Sequence, residues 1–369
     1  MPLLAEAFGT TAGGASAVIT AFAVAYGVLQ IVNGPLSDRI GKYRMVFWVT
    51  LISAAGNLAC ALAPSLPLLV AARFFAGATI GAIVPLAIAW IGDAVPYERR
   101  QPVLARFLIG NMLGMAMTVS VSGWLGEHYG WRAMFHVLTG LYLATAALLW
   151  FELKTNPATR LAPGPQEPMA AAFLRMLNLV RDRWVRVILA TVFIEGALLY
   201  GAFAFAAYHA HTHLGMGVAA SGALIAAYAA GGLIYATIAG RLVPRLGERG
   251  LVLGGGAFIG AGYLGLLLAP GPAYAVPSLM ALGIGLYMFH NTLQLHATQM
   301  SPSNARGGAV ALFAFFLFTG QSFGVWLFSK LVDAYGTPPV FMIAAIGLPL
   351  LALDFRRRLA ARRAASWIE

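Results

Sequence analysis

Arg73 and Glu195 are the two formally charged side chains that fall within long apolar stretches of this sequence. Charge is costly in hydrocarbon, so groups kept there mark substrate or proton paths. Glu195 stands nine residues beyond Arg186, about 13 Å along a helix and close to mid-membrane. An isolated carboxyl at that depth can load and release a proton. Arg73 is expected to bias Glu195 or to hold an anionic solute. His290, Asn291 and Gln294 share one helix face by their i, i+1, i+4 spacing; they could line a cavity or join neighbouring helices. Asn33, Asn111 and Gln321 are similar amide candidates. The alternating His209, His211 and His213 have no Cys, Asp or Glu close in sequence, and we assign them no metal. No Walker-type phosphate loop, carboxylate pair or activated Ser or Cys stands out. No catalytic residue, metal or cofactor is therefore assigned, and the chain is not expected to be an enzyme.

The elements that carry these groups are set by composition. Of 369 residues, 60% are hydrophobic and 10% charged, with a mean hydropathy of +0.78. Soluble domains carry roughly 25% charged residues. Apolar stretches recur near the ~20 residues that a helix needs to cross a bilayer, and none alternates as a barrel strand would. We expect an all-α membrane protein with about eleven spans: 15–34, 45–63, 68–92, 107–126, 133–151, 187–207, 218–239, 250–269, 275–297, 308–329 and 338–353. Of the 24 Lys and Arg, 21 lie in the connections on the side of the Gly34–Arg44 turn or in the C-terminal tail. Arg132 and Lys330 lie opposite. Positive charge stays cytoplasmic in short loops, so the +11 net charge reads as a topology signal and not as a nucleic-acid surface. The C-terminus is expected in the cytoplasm. The single Cys60 cannot form an intramolecular disulfide.

A shift of 206 residues superimposes two long segments without a gap. Gly9 falls on Gly215, Gly34 on Gly240, Arg39 on Arg245, Gly41 on Gly247, Gly77 on Gly283 and Arg100 on Arg306. Gly114 then meets Gly320, and Tyr129-Gly130 meets Tyr335-Gly336. An even number of spans separates equivalent positions, so the halves have parallel topology. Residues 1–153 form a five-helix first half and 187–369 a six-helix second half with a basic tail. A Pro-rich linker, 154–186, carries a short amphipathic helix near Met169–Arg181. The equivalents of 187–207 would precede Met1. The repeat therefore predicts an in-frame upstream segment of about 20 apolar residues; sequencing the DNA ahead of Met1 checks it, and stop codons there with a fully active 369-residue product would refute it.

The turn Gly34-Pro-Leu36-Ser-Asp38-Arg39-Ile-Gly41-Lys42, with its weaker copy Gly240-Arg-Leu242-Val-Pro244-Arg245-Leu-Gly247, resembles the signature turn of the major facilitator superfamily, and the likeness extends over nearly the whole chain. The resemblance implies two parallel six-helix repeats, here without the first helix of the N-terminal half. It implies that Asp38 meets the start of the eleventh family helix near Gly307–Gly308, and that Asp38, Lys42 and Asp93 form a charged latch with Gly34, Arg39 and Gly41. Arg73-Phe-Phe-Ala-Gly77-Ala-Thr-Ile-Gly81-Ala-Ile-Val-Pro85 resembles the family's helix 4 pattern, with Gly77, Gly81 and Pro85 as packing positions. In the family's helix 5 antiporter signature this chain keeps Gly114 and Gly123, but Thr118, Val119 and Ser122 stand where Gly, Pro and Gly belong. The likeness is greatest to the drug and sugar efflux branch.

These readings converge on a monomeric, multi-pass secondary transporter of the plasma (inner) membrane. It would move a small solute by alternating access in the lipid bilayer, with H+ as coupling ion and efflux as direction. A receptor or sensor on the same scaffold would bind ligand without counterflow. A facilitative or symport sugar or organic-acid carrier is the other alternative. A channel would conduct without saturation.

Overall fold

The computed structural model describes residues 1–160, 168–300 and 306–365, leaving out a set of side chains within helices that includes Asp38. No strand occurs among the described residues. The first half comprises α1 (Pro2–Phe8), α2 (Ala12–Ile40), α3 (Lys42–Leu62), α4 (Leu66–Ile80), α5 (Ile83–Ala94), α6 (Tyr97–Tyr129) and α7 (Arg132–Thr155). α8 (Met169–Leu179) lies in the linker, where an amphipathic helix is expected. The second half comprises α9 (Arg183–Glu195), a π turn (Gly196–Tyr200), α10 (Gly201–Phe203), α11 (Ala206–Thr212), α12 (Val218–Leu224), α13 (Ala226–Leu268), α14 (Pro272–Thr298), α15 (Arg306–Tyr335) and α16 (Pro338–Ala365). Among the described residues, nine helical stretches are long and apolar enough to cross a membrane. One of them, Val218–Leu268, is 51 residues long, more than twice what one crossing needs. Its backbone breaks at Gly247, with φ 58° and ψ 177°.

Local chemistry sets the helix ends. Thr11 caps α2 by accepting from the Gly14 N–H at 3.0 Å. Asp182 caps α9 by accepting from Trp184 and Val185 N–H at 2.7 and 2.9 Å. Such side-chain acceptors satisfy N–H groups that a helix start leaves orphaned. Gly41 joins α2 to α3 with φ 93°, a conformation that costs a side-chain-bearing residue dearly. The backbone repeats the 206-residue period here: the described residues with positive φ are Gly9, Gly41, Gly130, Gly215, Gly247 and Gly336, three pairs related by that shift.

Close helix packing follows glycine in the same periodic way. A Cβ on Gly77 would lie 2.3 Å from the Phe22 carbonyl oxygen, and one on Gly283 would lie 2.0 Å from that of Tyr228. These two contacts are repeat equivalents, and they bring α4 onto α2 and α14 onto α13. The neighbouring contact exchanges its partners. Tyr26 covers Gly81 in the first half, whereas in the second Tyr287 covers Gly232, the equivalents with large and small reversed. Within the second half, Ile188, Leu199, Tyr263, Phe289, Phe341 and Phe355 belong to one continuous core. Leu148, Phe151 and Met117 are by contrast exposed on the outside of the first half, the apolar surface that a bilayer covers.

The two halves meet along α2 against α15 and α6 against α12. We call the ends beside the Gly34–Arg44 turn the turn face and the opposite ends the distal face.

Candidate transport site

Glu195 ends α9 and opens the π turn, a widened helical turn that often marks function. Its position is fixed by bare backbone packed on α15. A Cβ on Gly196 would lie 2.3 Å from the Leu317 carbonyl, one on Gly320 2.1 Å from that of Phe193, and one on Gly324 2.0 Å from that of Ala197. The phenol of buried Tyr263 donates to the Leu199 carbonyl at 2.5 Å, anchoring the π turn from α13. Glu195 is fully buried. It is not the isolated carboxyl expected from sequence: its Oε2 lies 2.9 Å from His290 Nδ1, and His290 is only 14% exposed. α14 brings the imidazole in, and Phe313 of α15 lies beside its ring, centroids 5.5 Å apart. Glu195 Oε1 has no hydrogen-bond partner among the described residues. A buried oxygen costs free energy when left so, which makes it a place for a proton or a solute donor. With the carboxylate ionised, the imidazole donates through Nδ1. With the acid protonated, its O–H can donate back to the same nitrogen. One proton then has two homes on one line.

Asn291 and Gln294, neighbours of His290 on α14, are exposed, and Gln321 on α15 is half-buried. Asn111 is exposed on α6. Asn33 is buried with its Nδ2 unpartnered among the described residues.

No described contact joins Arg73 to Glu195. Its described contacts belong to the first half: the guanidinium stands 4.0 Å above the Phe22 ring and 5.9 Å from that of Phe135. Its Nε is buried without a partner among the described residues. A cation on aromatic faces keeps its hydrogen-bonding edge free for an anion. The polar groups thus divide, with a guanidinium in the first half and a carboxyl–imidazole pair in the second.

Helix 4 of the family pattern breaks between α4 and α5. Gly81 O would ordinarily accept from the N–H four residues on, but that residue is Pro85 and has none. Gln30 Nε2 donates to this carbonyl at 2.9 Å instead. Gln30 escaped the sequence reading, although the Gly81-to-Pro85 spacing was the signal that an amide donor was needed. Gly114 is a correction in the other direction. Among the described residues a Cβ there would meet nothing within 4 Å, so Gly114 makes no packing contact with them. Gly123 is one: its Cβ would lie 3.1 Å from Ala219 Cα, across the two halves.

At the turn face Lys42 Nζ and Asp93 form an ion pair, with Asp93 half exposed, and Arg39 is exposed. The expected Asp38 contact with Gly307–Gly308 lies outside the described residues. If Asp38 completes a latch, Asp38→Asn should slow transport about tenfold, the scale of a conformational coupling, without loss of folded protein; normal uptake by a well-expressed variant would remove it from that role. Of the distal histidines, His209 Nδ1 pairs with Thr337 Oγ1 at 2.6 Å and His211 Nδ1 with the Met216 carbonyl at 2.7 Å.

A model of the Major Facilitator Superfamily matches residues 1–325. The uncharacterised MFS-type transporter YwfA of Bacillus subtilis is 24% identical over 356 residues, covering 94% of this chain and 83% of the relative. The gallate transporter of Pseudomonas putida is 28% identical over 182 residues, 47% of this chain and 39% of the relative. Among solved structures, the peptide transporter POT in complex with sulfate superimposes with a TM-score of 0.78 at 17% identity, covering 96% of this chain and 87% of that one.

Proposed function

Because the chain belongs to the major facilitator superfamily, and is thus a multi-pass membrane transporter of small molecules and not an enzyme, we propose that it is a proton-coupled secondary transporter working by alternating access. The observation that carries this reading is the buried Glu195–His290 pair. A proton bound there changes the charge of the second half's interior, so loading and release can bias which way the halves open. Export is the direction the likeness to the efflux branch favours. The 21 basic residues on one side support a cytoplasmic turn face and C-terminus in the inner membrane. One chain supplies both halves of the path, so we take the monomer as the working unit.

Arg73 favours a second reading, an organic-anion carrier. Its free guanidinium edge suits a carboxylate, and the gallate transporter is among the relatives. One assay separates these readings. Purified protein in liposomes is given an imposed pH gradient and a panel of drugs, sugars and aromatic acids. The proposal expects accumulation of at least one solute that a protonophore collapses. Binding without counterflow would make the protein a receptor, and accumulation indifferent to the pH gradient would remove the proton.

A further inference from the structure

Two carboxylates at the distal face tie the halves together by equivalent bonds. Asp333, near the end of α15, accepts from the Gly13 N–H at 2.9 Å through Oδ1 and from Thr11 Oγ1 at 3.0 Å through Oδ2. Glu127, near the end of α6, accepts from the Ala219 N–H at 2.8 Å through Oε2. The 206-residue shift that relates the halves carries Glu127 onto Asp333 and Gly13 onto Ala219. Each acid therefore binds, in the opposite half, the backbone N–H of the residue equivalent to the one bound by its counterpart. The 206-residue register was set by glycines, arginines and a tyrosine elsewhere, so it owes nothing to these contacts. Both bonds cross the interface between halves, and both stand at the same face.

The surroundings are shaped to admit them. A Cβ on Gly13 would lie 2.2 Å from Asp333 Oδ2, so a side chain there would displace this carboxylate from its present seat, whereas Glu127, one methylene longer, reaches the N–H of a residue that carries a Cβ. Gly123, one turn before Glu127, lets α6 approach Ala219 closely enough for the second bond. Neither acid touches the Glu195–His290 pair in any described contact, so their role differs from proton loading.

We propose that Glu127 and Asp333 form a paired distal gate, a two-point clasp that holds the distal mouth shut and must release both bonds for the halves to part there. This rests on the alternating-access reading for its purpose but not for its test. A charge-assisted hydrogen bond to a backbone N–H is stronger than a neutral one, and solvent at the rim weakens it. Each single loss should therefore raise the distally open fraction about threefold, and loss of both about tenfold.

The test uses the whole chain, spin-labelled at Tyr129→Cys and Tyr335→Cys. Both are exposed, lie at the distal ends of opposite halves and are themselves repeat equivalents. Pulsed electron resonance gives the distance distribution in nanodiscs. Glu127→Ala, Asp333→Ala and the double variant should move population to longer distances, the two singles by similar amounts. Gly13→Ala, which leaves both acids in place but blocks Asp333, should reproduce the Asp333→Ala shift. A distribution unchanged in the double variant, with normal thermal stability, would overturn the gate. A Thr11→Cys/Asp333→Cys disulfide then examines the underlying reading separately. Oxidation should stop transport and reduction restore it. Full transport by the oxidised protein would overturn alternating access while leaving the distance result to decide the clasp.

Discussion

Glu195→Gln should abolish accumulation driven by a pH gradient yet leave exchange of solute at equal pH on both sides. The amide preserves the size of the side chain and can still meet His290 Nδ1, so the fully buried position remains filled. What it loses is the second protonation state. A carrier that cannot change charge at this point can still alternate with solute bound, but no proton energy is transmitted to it. Net accumulation is therefore expected to fall by more than about a hundredfold, the upper range of coupling between sites, while exchange changes by less than about threefold. His290→Gln should give a milder form of the same phenotype, because the Glu195 carboxyl remains while the imidazole beside it is lost. The measurement is solute accumulation in liposomes at opposed and equal pH. Retention of full gradient-driven accumulation by Glu195→Gln would return the residue to a packing role.

Gly283→Ala should be among the most destabilising single-methyl additions the chain can suffer, at about 3 kcal/mol. The new Cβ would sit 2.0 Å from Tyr228 O and 3.0 Å from Gly232 N, both backbone atoms of α13 that no rotamer can move aside. Gly77→Ala should behave alike against Phe22 O at 2.3 Å. Gly114→Ala provides the control: with no described atom within 4 Å of its Cβ and alanine the better helix former, stability should hold or rise by about 1 kcal/mol. Thermal unfolding in detergent checks all three. Equal midpoints for Gly283→Ala and Gly114→Ala would show that the α13–α14 contact yields where the packing says it cannot.

The sequence carried the fold because its signals were local. Apolar length gave helices, and glycine spacing such as Gly77 to Gly81 gave helix contacts. Glu195 and Arg73 were visible because charge in an apolar run needs no third dimension to be noticed. Their partners were not visible. His290 stands 95 positions from Glu195, and helical spacing could set its face but not what faced it. Arg73 was joined to Glu195 in anticipation because both were lone charges, and separate aromatic and carboxyl environments kept them apart. Gly114 was misjudged because a family pattern cannot say which stretch of a helix meets a neighbour. Glu127 and Asp333 were not singled out, although the repeat already aligned acid on acid.

The exchanged Tyr26–Gly81 and Gly232–Tyr287 contacts bear on how equivalent sites in the two halves can trade sizes. In each half one site must be bulky and the other bare. A tyrosine facing a tyrosine would overlap, since even a Cβ at Gly232 would come within 2.3 Å of the Tyr287 ring. Two glycines would leave a hole the size of a ring, at about 3 kcal/mol or more. Neither site can mutate alone without passing through one of these states. Of the two, the hole is survivable and the overlap is not, so a lineage changes occupancy by first shrinking the aromatic and then enlarging its neighbour. Relatives of this chain should accordingly show the two positions changing size in opposition, with paired small residues as the transitional form.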